Sequence, residues 1–283
     1  MIMTLKFSVA LVALAFTTGP LTLPHTGLDA DLVPLSGLTD TAMVTIASGT
    51  LRYRPAGEFI RAGKPANAPI VTVRMRRPLT IMRRQVTAAE YSACVADGAC
   101  AAVSLGEAAN AALPVVKVNW RDATAYAAWA SRKSGQKFRL PTDEEWAFAA
   151  GSRWRDDPLL ASDANDPSKR WIARYEAEAN REDMAKEVRL AGAFGINEHG
   201  LADMAGNVWE WTDSCYKRVT LDQAGEELGK PNVNCGVRVV VGRHRTYMTD
   251  FIRDPRNGGC ALGLPPSNLG FRLVRDDQRL LIW

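Results

Sequence analysis

A mixed α+β domain, rich in loops, is the architecture this sequence predicts, and three observations lead to it. Three segments carry the N-terminal signals of short helices. Several short runs are β-branched or alternate apolar with charged residues. The stretch after Gly200 is dense in Gly, Asn and Trp with little helical periodicity. The chain has 283 residues, of which 47% are hydrophobic and 23% charged, which is ordinary for a globular protein and enough to bury a sizeable core. No internal repeat and no linker divides it, so residues 41–283 are expected to form a single domain.

The elements follow in order. Ile70 to Ile81 (IVTVRMRRPLTI) partly alternates apolar and charged residues, as a half-buried strand does. Thr87 to Val95 reads as a helix, with Thr87 as N-cap and Glu90 at the capping-box position three residues on. Asn119 to Ser131 reads as a second helix, whose Asp122, Ala123, Tyr126 and Trp129 fall on one stripe. Thr142 to Ala150 is the third. Pro141 stops the preceding strand, Thr142 caps, and Glu145 completes the box. Asp156 to Arg189 is charged and irregular, with surface loops and short helices expected. Val237 to Val241 is β-branched and reads as a buried strand, and Leu269 to Val274 as another.

The N-terminus carries an export signal. Lys6 precedes the apolar run Phe7 to Phe16, which has the length of a signal-peptide core and is too short to span a bilayer. Residues 1–30 are therefore expected to hold a Sec-type signal and a loose mature arm, with cleavage between Thr18 and Ala30 and a periplasmic destination. An oxidising compartment permits disulfides. Of the five cysteines, Cys94 and Cys100 are close enough to bridge within one small loop, and Cys215 and Cys235 flank a polar segment that they could staple, although sequence alone leaves the connectivity open. One cysteine is left over in any pairing, and Cys260, in the Gly-rich run NGGCALG, is the candidate. The net charge of +4 is modest and its basic residues are scattered, so neither a nucleic-acid partner nor, after signal removal, a membrane partner is expected.

Five motifs in fixed order carry a family resemblance. They are Gln85 to Tyr91 (QVTAAEY); Pro114-Val115-Val116 with Asn119 to Ala123 (NWRDA); Arg139 to Thr142 (RLPT) with Glu145-Trp146; Gly200 to Trp211 (GLADMAGNVWEW); and Ser267 to Arg272 (SNLGFR). The fourth is the most specific. Together they cover the chain from about Thr41 to Arg275 and resemble the formylglycine-generating-enzyme, or sulfatase-modifying-factor, superfamily. The resemblance implies that family's fold, a distorted C-type-lectin-like domain with little regular secondary structure.

Within the fourth motif, Asp203 and Glu210 offer hard oxygen ligands on an irregular segment that can turn carbonyls inward, a set suited to Ca²⁺ with its roughly six to eight oxygens. The resemblance implies a structural calcium held by the side chains of Asp203 and Glu210 and the carbonyls of Gly206 and Val208. The alternative is that both carboxylates cap backbone amides.

At the reaction centre the chain departs from the family. Copper-dependent members carry two cysteines in a segment that resembles His244 to Arg253 (HRTYMTDFIR), where this chain has Met248 and Arg253. A thioether and a guanidinium cannot replace the two thiolates that Cu(I) needs. Met248 is expected as a core filler, and the ordinary alternative for Arg245 and Arg253 is structural pairing with Asp250 and Asp254. After signal removal only His199 and His244 remain, so a three-histidine iron site of the sulfoxide-synthase branch is not expected either.

The His-Arg-Thr-Tyr segment and the Gly-Gly-Cys-Ala loop resemble a further branch, exported proteins required for maturation of the siderophore pyoverdine. That likeness implies a maturation factor or oxidase acting on a small peptide-like siderophore precursor, with an unknown redox cofactor and other periplasmic maturation proteins as partners. The candidate site residues are His244 as proton carrier, Arg245 and Arg253 as anchors for an acidic substrate, Tyr247 as donor or stacking ring, Cys260, and Trp209 as an aromatic wall. Two other readings stand beside it: a non-catalytic C-type-lectin-like binding module, and a maturation factor for another exported protein.

Overall fold

The computed structural model describes residues 42–103, 110–156, 187–254 and 268–277, all within one unit, Val33–Trp283. The expected signal and arm, most of the charged stretch from Asp156 to Arg189, and the Cys260 loop lie outside the described residues.

The mixed α+β, loop-rich architecture is as expected. Strands β1 (Met43–Ile46), β2 (Gly49–Tyr53), β3 (Glu58–Arg61), β4 (Lys64–Ala66), β5 (Val71–Met75) and β6 (Leu79–Met82) come first. Helices α1 (Ala88–Ala96) and α2 (Trp120–Ser134), strand β7 (Phe138–Arg139) and helix α3 (Asp143–Ala150) follow. The C-terminal half holds β8 (Trp209–Leu221), β9 (Asn232–Val241), β10 (Arg245–Thr249), β11 (Leu269–Gly270) and β12 (Val274–Arg275). One sheet runs β1-β6-β12-β7, the largest runs β10-β9-β8-β3-β4 with β11 beside β8, and β2 and β5 form a ribbon.

All three helices start as the sequence predicts. Thr87, Asn119 and Thr142 each accept from the backbone amide three residues on, and Glu90, Asp122 and Glu145 reach back to the cap amides. Gly135, left-handed at φ 69°, ends α2 three residues later than expected.

The segment from Ile70 to Ile81 is not one strand. Pro78 offers no N–H and restricts Arg77 before it, and the chain changes sheets there: β5 pairs with β2, while β6 is buried throughout and pairs with β1 and β12. The run from Leu269 to Val274 likewise splits into β11 and β12, which pair with different sheets. The 13-residue β8 is the element the sequence hides. It lies between β9, antiparallel, and β3, parallel, so its pattern answers to distant partners rather than to a local period.

Disulfides join Cys94 to Cys100, behind α1, and Cys215 to Cys235 across the irregular β8–β9 register. The larger core packs α1 and α2 (Tyr91, Tyr126, Trp129) against Trp211, Met248 and Phe271. A second packs α3 (Trp146) against Ile81, Leu201, Val239 and Val241. The strand β10 divides the two: Met248 enters the first, and Tyr247 packs against the second.

Candidate functional site

The fourth motif forms a tight, strained turn leading into β8. Asp203, Ala205 and Asn207 all have left-handed backbones, at φ 56°, 60° and 62°, which non-glycine residues adopt only when the surroundings impose it. The surroundings are polar clamps. The Asp203 carboxylate accepts from the amides of Gly192 (2.7 Å) and Phe194 (2.8 Å). The Asn207 side chain exchanges two hydrogen bonds with the backbone of Arg189, at 2.9 and 2.7 Å. Gly206 is required by packing, since a Cβ there would come within 2.7 Å of Phe194.

Glu210 is wholly buried and faces Arg272, also wholly buried. Its Oε1 accepts from Arg272 Nη2 and Gln85 Nε2, both at 2.7 Å, and its Oε2 from Arg272 Nε (2.7 Å) and Trp146 Nε1 (2.8 Å). Arg272 Nη2 also donates to the carbonyl of Ala202 at 3.0 Å. The ion pair and its two neutral donors thus tie the first, third, fourth and fifth motifs to one point, through Gln85 after β6, Trp146 of α3, Glu210 of β8 and Arg272 between β11 and β12.

This geometry bears on the expected calcium set of Asp203, Gly206, Val208 and Glu210. Four donors fill the acceptor positions of Glu210, two of them from the Arg272 guanidinium fork, and two amides hold Asp203. Gln85 Oε1 is buried without a partner, but one neutral oxygen beside a guanidinium is a poor cation site. The donor set as arranged does not fit calcium. Asp203 takes the amide-capping role that the sequence left as the alternative, and Glu210 takes a role that neither alternative named, a buried ion pair.

Of the six residues expected at a reaction site, Cys260 lies outside the described residues and the other five separate. His244 and Trp209 come together, ring centroids 5.6 Å apart and edge to face. The turn between β9 and β10 makes this contact because Gly242 lies flat on the indole; a Cβ there would be 2.6 Å from the ring. Trp209 is buried, and its Nε1 has no hydrogen-bond partner.

Arg245 and Tyr247 face the opposite way from that pair's neighbour Met248 and brace the loop between β2 and β3. Arg245 Nη1 donates to the carbonyl of Arg54 at 2.6 Å and to the Tyr53 hydroxyl at 3.2 Å, and its guanidinium lies over the rings of Tyr53 and Trp154. Burial opposes its charge, but Tyr53, Tyr247 and Asp143 hold the guanidinium above its ordinary range. The Tyr53 hydroxyl donates in turn to Asp143, and burial, then Asp143, drives that phenol far up. The Tyr247 hydroxyl accepts from the amide of Gly57 at 2.7 Å and donates to its carbonyl at 3.2 Å.

Arg253 corrects a sequence expectation. Its fork closes on Asp122 at 2.7 and 2.8 Å, not on Asp250 or Asp254, and Asp250 is held by Arg121 instead. Asp122 is the capping acid of α2, so the second of the two positions where copper-dependent relatives have cysteine is a helix clamp. The first, Met248, is fully buried in the main core, as expected of a filler. His199 stacks on Phe148, with centroids 6.5 Å apart. Among the described residues no three His, Cys, Asp or Glu side chains cluster as metal ligands.

Comparison with known proteins agrees with this architecture. The family profile for the Sulfatase-modifying factor enzyme 1-like domain matches residues 30–277. The formylglycine-generating enzyme of Streptomyces coelicolor is 32% identical over 177 residues, covering 58% of this chain and 52% of the relative. Inactive C-alpha-formylglycine-generating enzyme 2 of Bos taurus is 38% identical over 112 residues, 38% of this chain and 35% of the relative. The matches therefore span about a third to a half of these relatives' own length. The solved structure of PvdO from Pseudomonas aeruginosa is 21% identical and superposes with a TM-score of 0.52 over 83% of this chain and 94% of its own, a likeness of fold. With the family profile matched over most of its length, the chain belongs to the sulfatase-modifying factor enzyme 1-like family.

Proposed function

We propose that this protein is an exported maturation factor that oxidises a small peptide-like siderophore precursor of the pyoverdine type, rather than a copper-dependent formylglycine generator. The observation that carries the reading is the pairing of His244 with Trp209 of the fourth motif. A half-buried imidazole held against a buried indole offers a proton carrier fixed in place by an aromatic ring. The two cysteine positions of copper-dependent relatives hold a core methionine and a helix clamp, so thiolate copper chemistry has no ligands in this segment. The oxidant would be dioxygen or a separate cofactor. The fold likeness to PvdO and the motif resemblance support the substrate class, and the two disulfides support an oxidising compartment.

The test is a deletion strain complemented with wild type, His244→Ala or Trp209→Phe, following precursor mass and chromophore absorbance in periplasmic extract. The reading expects precursor to accumulate in the deletion and in His244→Ala, at normal protein level. Full conversion in the deletion strain would overturn it.

A second reading has its own support. Arg245, Tyr247 and Arg253 spend their donors inside the fold, and one relative is named an inactive enzyme. On that reading the chain is a non-catalytic module or assists another exported protein. Loss of maturation in the deletion that His244→Ala and Trp209→Phe both restore in full would favour it.

A further inference from the structure

A second feature lies beside the fourth motif and involves residues that the sequence reading passed over. A cavity of about 320 Å³ opens between the turn Met204–Gly206, the segment after α3 and the β9–β10 turn. Arg153, Arg155 and Arg243 line it, with Phe194 and Met204 as its apolar surface. We propose that this cavity is a binding site for a small organic anion carrying two or more carboxylates.

Arg153 and Arg155 come from the segment after α3 and Arg243 from the β9–β10 turn, and all three line one space, so the charge is not a solvated helix face. Among the described residues Arg153 and Arg155 form no ion pair, while Arg243 keeps contacts of its own. Among the described residues two neighbouring carboxylates are already engaged: Glu198 accepts from the amide and hydroxyl of Ser152 at 2.6 and 2.7 Å, and Asp203 accepts from two amides. Two glycines keep the cavity open. A Cβ at Gly195 would come within 2.8 Å of the Arg153 guanidinium, and one at Gly206 within 2.7 Å of Phe194.

The ligand class follows from the donors. Phosphate loops hold their anion largely with free backbone amides, but here the amides of Phe194, Gly195 and Gly206 are satisfied within the fold. The arginines that line the cavity carry planar forks, which match carboxylates bidentately. The apolar walls of Phe194 and Met204 add contact for a carbon skeleton, and the volume suits a small molecule or the acidic end of a peptide. The inference does not depend on the siderophore reading, because it concerns recognition and not reaction.

Calorimetric titration of the full mature chain at physiological salt tests it, with citrate, an end-blocked triglutamate peptide and inorganic phosphate as probes. Saturable binding of citrate or of the peptide is expected, and which of the two binds identifies a free acid or a peptide as the source. Arg153→Gln combined with Arg155→Gln should weaken binding about tenfold or more, and so should Arg243→Gln alone, with unliganded melting temperatures unchanged. Arg132→Gln, on the exposed side of α2, is the charge control. No binding of either carboxylate probe, phosphate binding as tightly as they do, or an equal loss in the Arg132 control would each overturn the proposal.

Discussion

Removing Arg272 while keeping Glu210 should be among the most damaging single changes in this fold. Both side chains are fully buried, and they share two hydrogen bonds of 2.7 Å. Arg272→Met keeps volume and apolar character but leaves the Glu210 carboxylate with only the neutral donors of Gln85 and Trp146. It also strands the carbonyl of Ala202, which accepts from Arg272 at 3.0 Å. Breaking one side of a buried pair costs about 3–5 kcal/mol, a large share of the roughly 5–15 kcal/mol that keeps a domain folded. For a domain of this size that corresponds to a melting temperature lower by roughly 6–20 °C. The assay is urea denaturation with both disulfides intact, run as a cycle with Glu210→Gln and the double variant. Since the penalty is an uncompensated charge, the double variant should be more stable than the sum of the two losses by more than about 1 kcal/mol. A loss below about 1 kcal/mol for Arg272→Met, or strict additivity, would refute the argument that this pair pins the motifs together.

Two further outcomes follow from the same contacts. Because four donors occupy Glu210 and two amides hold Asp203, excess chelator should move the melting temperature of calcium-treated protein by less than about 1 °C; a larger drop, restored by calcium, would show that the cation displaces Arg272. In alkali, burial, with help from Asp122 and from Glu58 respectively, pushes Tyr91 and Tyr216 up to about 12, and burial drives Tyr53 and Tyr126 higher still. A phenol with a raised folded pKa contributes stability that is present below its ordinary value near 10 and is lost as pH rises toward the folded value. Tyrosinate absorbance should therefore lag behind that of the unfolded chain above about pH 10 and then rise together with unfolding; a smooth titration centred near 10 in folded protein would contradict the burial.

What was legible in the sequence was what the chain decides locally. A capping box needs only residues three apart, so Thr87 with Glu90 and Thr142 with Glu145 announced α1 and α3. The half-buried strand read across Pro78 failed because its two halves answer to different sheets. Strand β8 was invisible because its parallel neighbour β3 lies far earlier in the chain and its pairing with the next strand, β9, shifts register midway. The site suffered the same limit. Residue types named Glu210 as a ligand and Arg253 as an anchor, but their partners lie 62 and 131 residues away.

The arginines show how a side chain's role is decided by where its donors go. Each capping acid accepts from its own cap amide and is then gripped by a guanidinium fork: Glu90 by Arg84, Glu145 by Arg139 and Asp122 by Arg253. Two of these are local and share the pattern Arg-x-x-Thr-x-x-Glu at 84–90 and 139–145. The third helix start lacks such an arginine at its own N-terminus and borrows one from beyond β10. An arginine whose fork is closed on a buried carboxylate has few donors left for a ligand, so Arg253 belongs with Arg84 and Arg139 as part of the scaffold. Arg245, spent on the Arg54 carbonyl and the Tyr53 hydroxyl, belongs there too. The β9–β10 turn brings together His244, packed on Trp209, and Arg243, which lines one cavity with Arg153 and Arg155. Recognition and any reaction are therefore expected at that turn, where two short loops meet, and not along β10, whose side chains hold the two cores apart.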